Sequence, residues 1–167
     1  MGTEASSEAV PTVMGATDGK ALWSVGVLML FKADSERTDG AFTLLEHTAP
    51  AGYETPYHVH HAEDELFYVL DGAIDCYYGD DGENVRRAGP GETVWLPRDV
   101  PHGFRVVSDD ACHMLVQVTP AGLEELFREV GTPAKRLDPP PQAELDTAAL
   151  AEAAAAYQLE ILGPLPD

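Results

Sequence analysis

Between Ala21 and Thr119 the chain alternates short runs of β-branched, aromatic and aliphatic residues with clusters of turn residues. The runs are Trp23 to Lys32, Ala41 to His47, Tyr57 to His60, Leu66 to Leu70, Ala73 to Tyr78, Thr93 to Leu96, Phe104 to Val107 and His113 to Val118. Between them stand Asp39-Gly40, Pro50-Ala51-Gly52, Asp71-Gly72, Asp80-Asp81-Gly82 and Gly89-Pro90-Gly91. Many short strands punctuated by Gly, Pro and Asp predict an all-β sandwich or barrel. The period then changes. Leu123, Leu126, Phe127 and Val130 recur at the spacing of an amphipathic helix, and Gly131 follows at the C-cap position. Beyond Pro139-Pro140-Pro141, the alanine-rich stretch Thr147 to Leu159 predicts a second helix, with Leu150, Ala153, Ala154 and Tyr157 on its apolar face. Three regions result: a flexible arm over 1–20, a barrel over 21–120, and a helical extension over 121–167 that packs outside the barrel.

Composition bounds the function. A chain of 167 residues with 44% hydrophobic positions suits one domain with a real core. The longest early apolar stretch, Val25 to Phe31, is far short of the roughly 18 residues that cross a membrane. Met1 to Ser7 has an acidic residue and no basic cluster, unlike a secretory leader, so a cytoplasmic protein is expected. Net charge is −19, from 29 acidic and 10 basic residues. That balance excludes a phosphate-reading surface, so neither nucleic acid nor an anionic membrane is an expected partner. It also implies self-repulsion that salt would screen. Cys76 and Cys112 form no Cys-x-x-Cys pair and are expected as free, buried thiols.

The candidate chemistry begins at His58-Val59-His60. Residues two apart on a strand project to one face, so both imidazoles converge. Glu65 follows where the chain can turn into the next strand, and His102 is the best source of a third imidazole, preceded by Pro97 and Pro101 in a turn after the strand Thr93 to Leu96. Three imidazoles and one carboxylate suit one divalent ion: Fe, Mn, Ni, Co, Cu or Zn. Alternation along the strands carries Phe67 and Val69 inward with Glu65, and Phe104 and Val106 inward with His102, giving an apolar substrate pocket. His61 falls on the opposite face and is expected at the surface. His47 and His113 are expected as structural or surface residues.

These residues resemble a known family. Gly52, His58, His60, Glu65 and Gly72 match the first cupin motif at every defined position. Gly91, Pro97 and His102 match the second in part, with Asp99 at a usual glycine and Val106 at a usual asparagine. Asp tolerates the left-handed turn that this position requires. The resemblance implies a cupin jelly-roll barrel of two antiparallel sheets, with a metal on His58, His60, Glu65 and His102. Thr119-Pro120-Ala121-Gly122, Gly131-Thr132-Pro133-Ala134 and the tail Leu159 to Pro164 are similar to short bacterial proteins of the quercetin 2,3-dioxygenase type.

That resemblance implies a metal-dependent dioxygenase acting on a small aromatic or enol substrate, with Glu65 as the catalytic base. A redox-neutral isomerase, lyase or cyclase is the alternative, and a non-catalytic small-molecule-binding cupin is a third reading. Cupins of this kind often pair, so a homodimer is expected.

Overall fold

The structure is a computed structural model that describes residues 10–167. In chain order, β1 (Ala21–Ser24) and β2 (Val27–Ala33) precede the single turn α1 (Ser35–Thr38) and β3 (Thr43–Ala49). Then come β4 (Tyr57–His60), β5 (Asp64–Asp71), β6 (Ile74–Tyr78), β7 (Asn84–Ala88), β8 (Thr93–Leu96), β9 (His102–Val106) and β10 (Cys112–Thr119). The C-terminal region holds α2 (Glu124–Val130), the two-residue β11 (Thr132–Pro133), α3 (Thr147–Ala155) and β12 (Leu159–Gly163).

All strand pairs are antiparallel and fall into two sheets. One has the order β11-β1-β2-β3-β10-β5-β8, the other β12-β4-β9-β6-β7. This is the expected jelly roll. The alternation in β3 shows why it closes. Thr43, Leu45, His47 and Ala49 are buried, while the residues between them are half-buried. That period of two turns one face of each strand to a shared interior. Met29, Leu45, Val69, Ile74, Met114 and Val118 fill it. Cys76 and Cys112 are buried there as free thiols.

Turn chemistry fixes the strand ends. Gly72 has φ of 80°, and a Cβ on it would come within 2.8 Å of Cys112 Cα, so the motif glycine is required twice over. Asp99 does adopt the left-handed turn, with φ of 66°. Gly131 departs from expectation. It ends α2 in an extended conformation, with φ of −96°. Its reason for being glycine is close approach, since a Cβ would sit 2.5 Å from Phe127 O.

The C-terminal region does more than pack outside. Leu123 and Leu126 of the α2 segment and Ala154 of α3 are fully buried in the same core as the strands. The predicted apolar face of α3 is also observed: Leu150 and Ala154 are buried, and Ala153 and Tyr157 pack against the core. The helix stops at Ala155, short of the expected Leu159, because Leu159 to Gly163 pairs with β4 as an edge strand. Of the expected flexible arm, residues 1–9 lie outside the described residues. Residues 10–20 lack regular structure, and Lys32 Nζ donates to the carbonyls of Gly15, Ala16 and Asp18. No described helix is long and apolar enough to cross a membrane.

Candidate metal centre

Adjacent strands of the five-stranded sheet assemble the site. His58 and His60 share a face of β4, and His58 is in register with His102 at the start of β9. His102 is therefore the first residue of the strand, just past the turn that holds Pro97 and Pro101. Pairing with β4 extends β9 back to it. The ring centroids of His58 and His102 are 4.5 Å apart, those of His58 and His60 5.1 Å, and those of His60 and His102 5.3 Å. One nitrogen from each imidazole lies within 4.8 Å of the others. Glu65, from β5 in the other sheet, closes the group. Its carboxylate oxygens are 3.4 Å from His60 Nε2 and 3.9 Å from His102 Nε2.

The outer edges of the rings are held. His58 Nδ1 lies 2.7 Å from Pro56 O and His102 Nδ1 lies 3.0 Å from Val100 O. Each carbonyl accepts from a protonated Nδ1, which leaves Nε2 with its lone pair aimed at the centre. His60 Nδ1 instead faces the Glu63 carboxylate at 3.6 Å. Glu63 is buried and stands behind a ligand candidate.

Both nitrogens of His60 and Nε2 of His102 are buried without hydrogen-bond partners. Orphaned groups of this kind cost free energy and call for a ligand. A divalent cation bound by one nitrogen of each imidazole, with a carboxylate alongside, would satisfy His60 Nε2 and His102 Nε2. The protonation equilibria agree. Burial, with repulsion from His102 and His60, pushes His58 well below its ordinary pKa. Burial and His60 lower His102 to about 4. Both are neutral at pH 7, so at these two imidazoles no proton competes with a metal. At His60 burial opposes charge, but Glu65 and Glu63 outweigh it and raise the pKa. Burial raises the Glu65 carboxyl, His60 lowers it and Glu63 raises it, with a net rise.

A cavity of about 90 Å³ adjoins the cluster. His58, His60 and Glu65 line it, and so do Phe67 and Phe104 as the sequence reading expected. Val69 and Val106 are inward and buried, but they pack in the core and do not line this space. Each lies one interior position further along its strand, away from the histidines. The opposite wall was not anticipated. It comes from Leu126 and Phe127 of α2, Leu150 of α3, and Leu159 and Ile161 of β12. His47, expected as a structural or surface residue, is buried and also lines the cavity.

The remaining polar residues are peripheral. His61 is exposed, as expected, and bridges Asp99 at 2.7 Å and Glu160 at 3.0 Å. His113 is half-buried on the outward face, 3.6 Å from Glu46. Arg87, Arg98 and Arg105 pair with Asp75, Asp64 and Glu54 near the surface. Tyr57 donates to the carbonyls of Gly79 and Pro101.

A two-sheet antiparallel barrel with a buried three-histidine cluster on β4 and β9 defines a class, the cupins. Residues 44–118 match the family described as Cupin domain. The chain thus carries a cupin domain and resembles quercetin 2,3-dioxygenase-type proteins. It is 29% identical over 131 residues to quercetin 2,3-dioxygenase of Bacillus subtilis (strain 168), a match covering 78% of this chain and 38% of that enzyme. It thus spans well under half the length of that relative. Among solved structures it is similar to the polyketide cyclase RemF from Streptomyces resistomycificus, with 26% identity, a TM-score of 0.57 and coverage of 66% of this chain and 80% of that one. A further likeness, of fold alone, is to an RmlC-like cupin from Shewanella frigidimarina, with 14% identity, a TM-score of 0.58 and coverage of 70% and 96%.

Proposed function

We propose that the protein is a metal-dependent dioxygenase acting on a small aromatic or enol substrate. The observation that carries this reading is the set of unpartnered imidazole nitrogens beside Glu65, opening on an apolar cavity. His58, His60 and His102 would hold one divalent ion, with Glu65 as a fourth donor. When bound, that ion would supply Lewis acidity toward an enol oxygen and a redox centre for oxygen chemistry.

The chain's own residues do the rest. Glu65 is buried with its carboxylate oxygens 3.4 Å from His60 Nε2 and 3.9 Å from His102 Nε2, so it is placed to take the proton from an enol hydroxyl brought against the cluster. Phe67, Phe104, Leu126 and Phe127 exclude water and hold a flat ring. Cavity size limits the substrate. An apolar hole of about 150 Å³ takes a benzene ring, whereas pockets for drug-sized ligands run from about 300 Å³. At about 90 Å³ this one suits a single ring or less. A three-ring flavonol would enter only if the wall of α2, α3 and β12 moved.

The test is oxygen uptake by apoprotein reconstituted in turn with Fe(II), Mn(II), Co(II) and Ni(II), given single-ring enols, enediols and flavonols. Metal-dependent uptake that disappears in His60→Ala is the expected result. Stoichiometric metal with no uptake on any substrate would contradict it. A redox-neutral cyclase or isomerase is the second reading, favoured by the likeness to RemF. It would appear as substrate turnover without oxygen consumption.

A further inference from the structure

His47 is the residue that the proposed chemistry leaves unused. It sits on the inward face of β3, in register with the inward Met29 and Met114 on its neighbours. It is 7% exposed, and its Nδ1 is buried with no hydrogen-bond partner. Its ring meets Phe104 edge-on at 6.1 Å, and Phe104 is two residues along β9 from His102. His47 thus borders the same cavity as the histidine cluster, from the opposite sheet. A purely structural histidine normally finds a partner, because a buried nitrogen left unpaired loses its hydration with nothing in return.

The other polar lining groups outside the cluster each have a hydrogen-bond partner. Tyr53 Oη donates to Val25 O at 2.7 Å. Thr55 Oγ1 accepts from Phe104 N at 2.9 Å. Apart from these and the cluster with Glu65, the described lining is apolar, Val25, Met29, Leu45 and Val116 included. Burial, with a smaller contribution from His113, lowers His47 to about 4, so at neutral pH it offers one N–H and one lone pair.

We propose that His47 is a specificity residue: the substrate is a single-ring or smaller hydroxy-carbonyl compound whose enol end meets the cluster and whose far hydroxyl or carbonyl hydrogen-bonds to His47. This rests on the proposed function for the enol end. It adds the requirement for a second polar group, which the cluster alone does not impose. A site built to pair a buried polar group discriminates strongly against an analogue lacking it.

A matched pair of chelating pyranones tests this. Kojic acid and allomaltol share the ring and the hydroxy-ketone, and differ only in a distal hydroxymethyl against a methyl. Their binding to Co(II)-loaded protein is read from the visible Co(II) spectrum. The expected preference for kojic acid is about tenfold or more in the wild type, as one buried hydrogen bond supplies. It is expected to collapse to about onefold in His47→Phe, with allomaltol binding within about twofold of wild type. His47→Gln, which keeps a donor and an acceptor, should retain part of the preference. Should His47→Phe fail to melt cooperatively, the unmodified protein serves: kojic acid, but not allomaltol, should shift the His47 Nδ1 resonance in ¹⁵N spectra. Equal affinities in wild type, an undiminished preference in His47→Phe, or equal shifts with both ligands would overturn the inference and leave the metal-dependent reading standing. Failure of both pyranones to bind would overturn both together.

Discussion

Glu124 shows how one residue can bind several elements. It is fully buried at the start of α2. Its carboxylate accepts from Ser35 N at 2.8 Å, Thr43 Oγ1 at 2.6 Å and Gly122 N at 2.7 Å, joining α1, β3 and α2. Burial alone would raise its pKa, but the donors at Thr43 and Ser35 outweigh it and hold the group at about 2. A carboxyl depressed in the folded state stabilises the fold above its unfolded pKa, near 4.5, and loses that contribution as pH falls toward 2. Glu124→Gln is expected to cost about 2–3 kcal/mol at pH 7, and to flatten the stability profile between pH 4.5 and 2. Urea melts across that range check it; an unchanged acid limb would contradict it. At this scale the sequence was informative where a motif gave spacing, as at His58, His60 and Glu65. It was silent where a role depends on distant strands. Nothing in the local pattern of His47 or Glu63 says what stands opposite.

At the scale of elements, alternation and turn residues revealed most of the barrel. Tyr57–His60 and Thr93–Leu96 fall where the sequence placed them. Trp23 to Lys32 was read as one strand, yet it folds back at Val25-Gly26. Both residues have positive φ, 47° and 84°. A β-branched residue is a rare occupant of that conformation, so the usual hairpin signal was missing. β7 went unread because Asn-Val-Arg-Arg is exposed edge, with no apolar face to alternate. β12 was hidden for another reason: its strand character comes from pairing with β4. The C-terminal elements carry more stability than their place in the chain suggests. Leu126 is fully buried and also walls the cavity. Leu126→Ala is expected to cost about 2–4 kcal/mol and to enlarge the cavity. Denaturant unfolding checks the first; a loss below about 1 kcal/mol would mean that α2 is only loosely applied to the barrel.

For the whole molecule, the charge of −19 is the dominant property. Arg98, Arg87, Arg105 and Arg128 pair locally with Asp64, Asp75, Glu54 and Asp34, and with 29 acidic against 10 basic residues most carboxylates lack a counter-charge. Repulsion among exposed carboxylates is screened within a Debye length of about 3 Å at 1 M salt. The melting temperature is therefore expected to rise by several degrees between about 20 mM and 1 M KCl. No rise would mean that the acidic surface costs the fold nothing.

The central claim is that His58, His60 and His102 form one metal centre. Its most direct measurement is titration of the metal-free protein with Co(II), followed by its visible absorption and by metal analysis after desalting. One equivalent bound is expected, lost in His102→Ala and retained in Glu63→Gln with affinity about 10–100-fold weaker, as removal of a carboxylate behind a ligand imidazole produces. Absence of binding in the wild type, or undiminished stoichiometric binding in His102→Ala, would contradict the account.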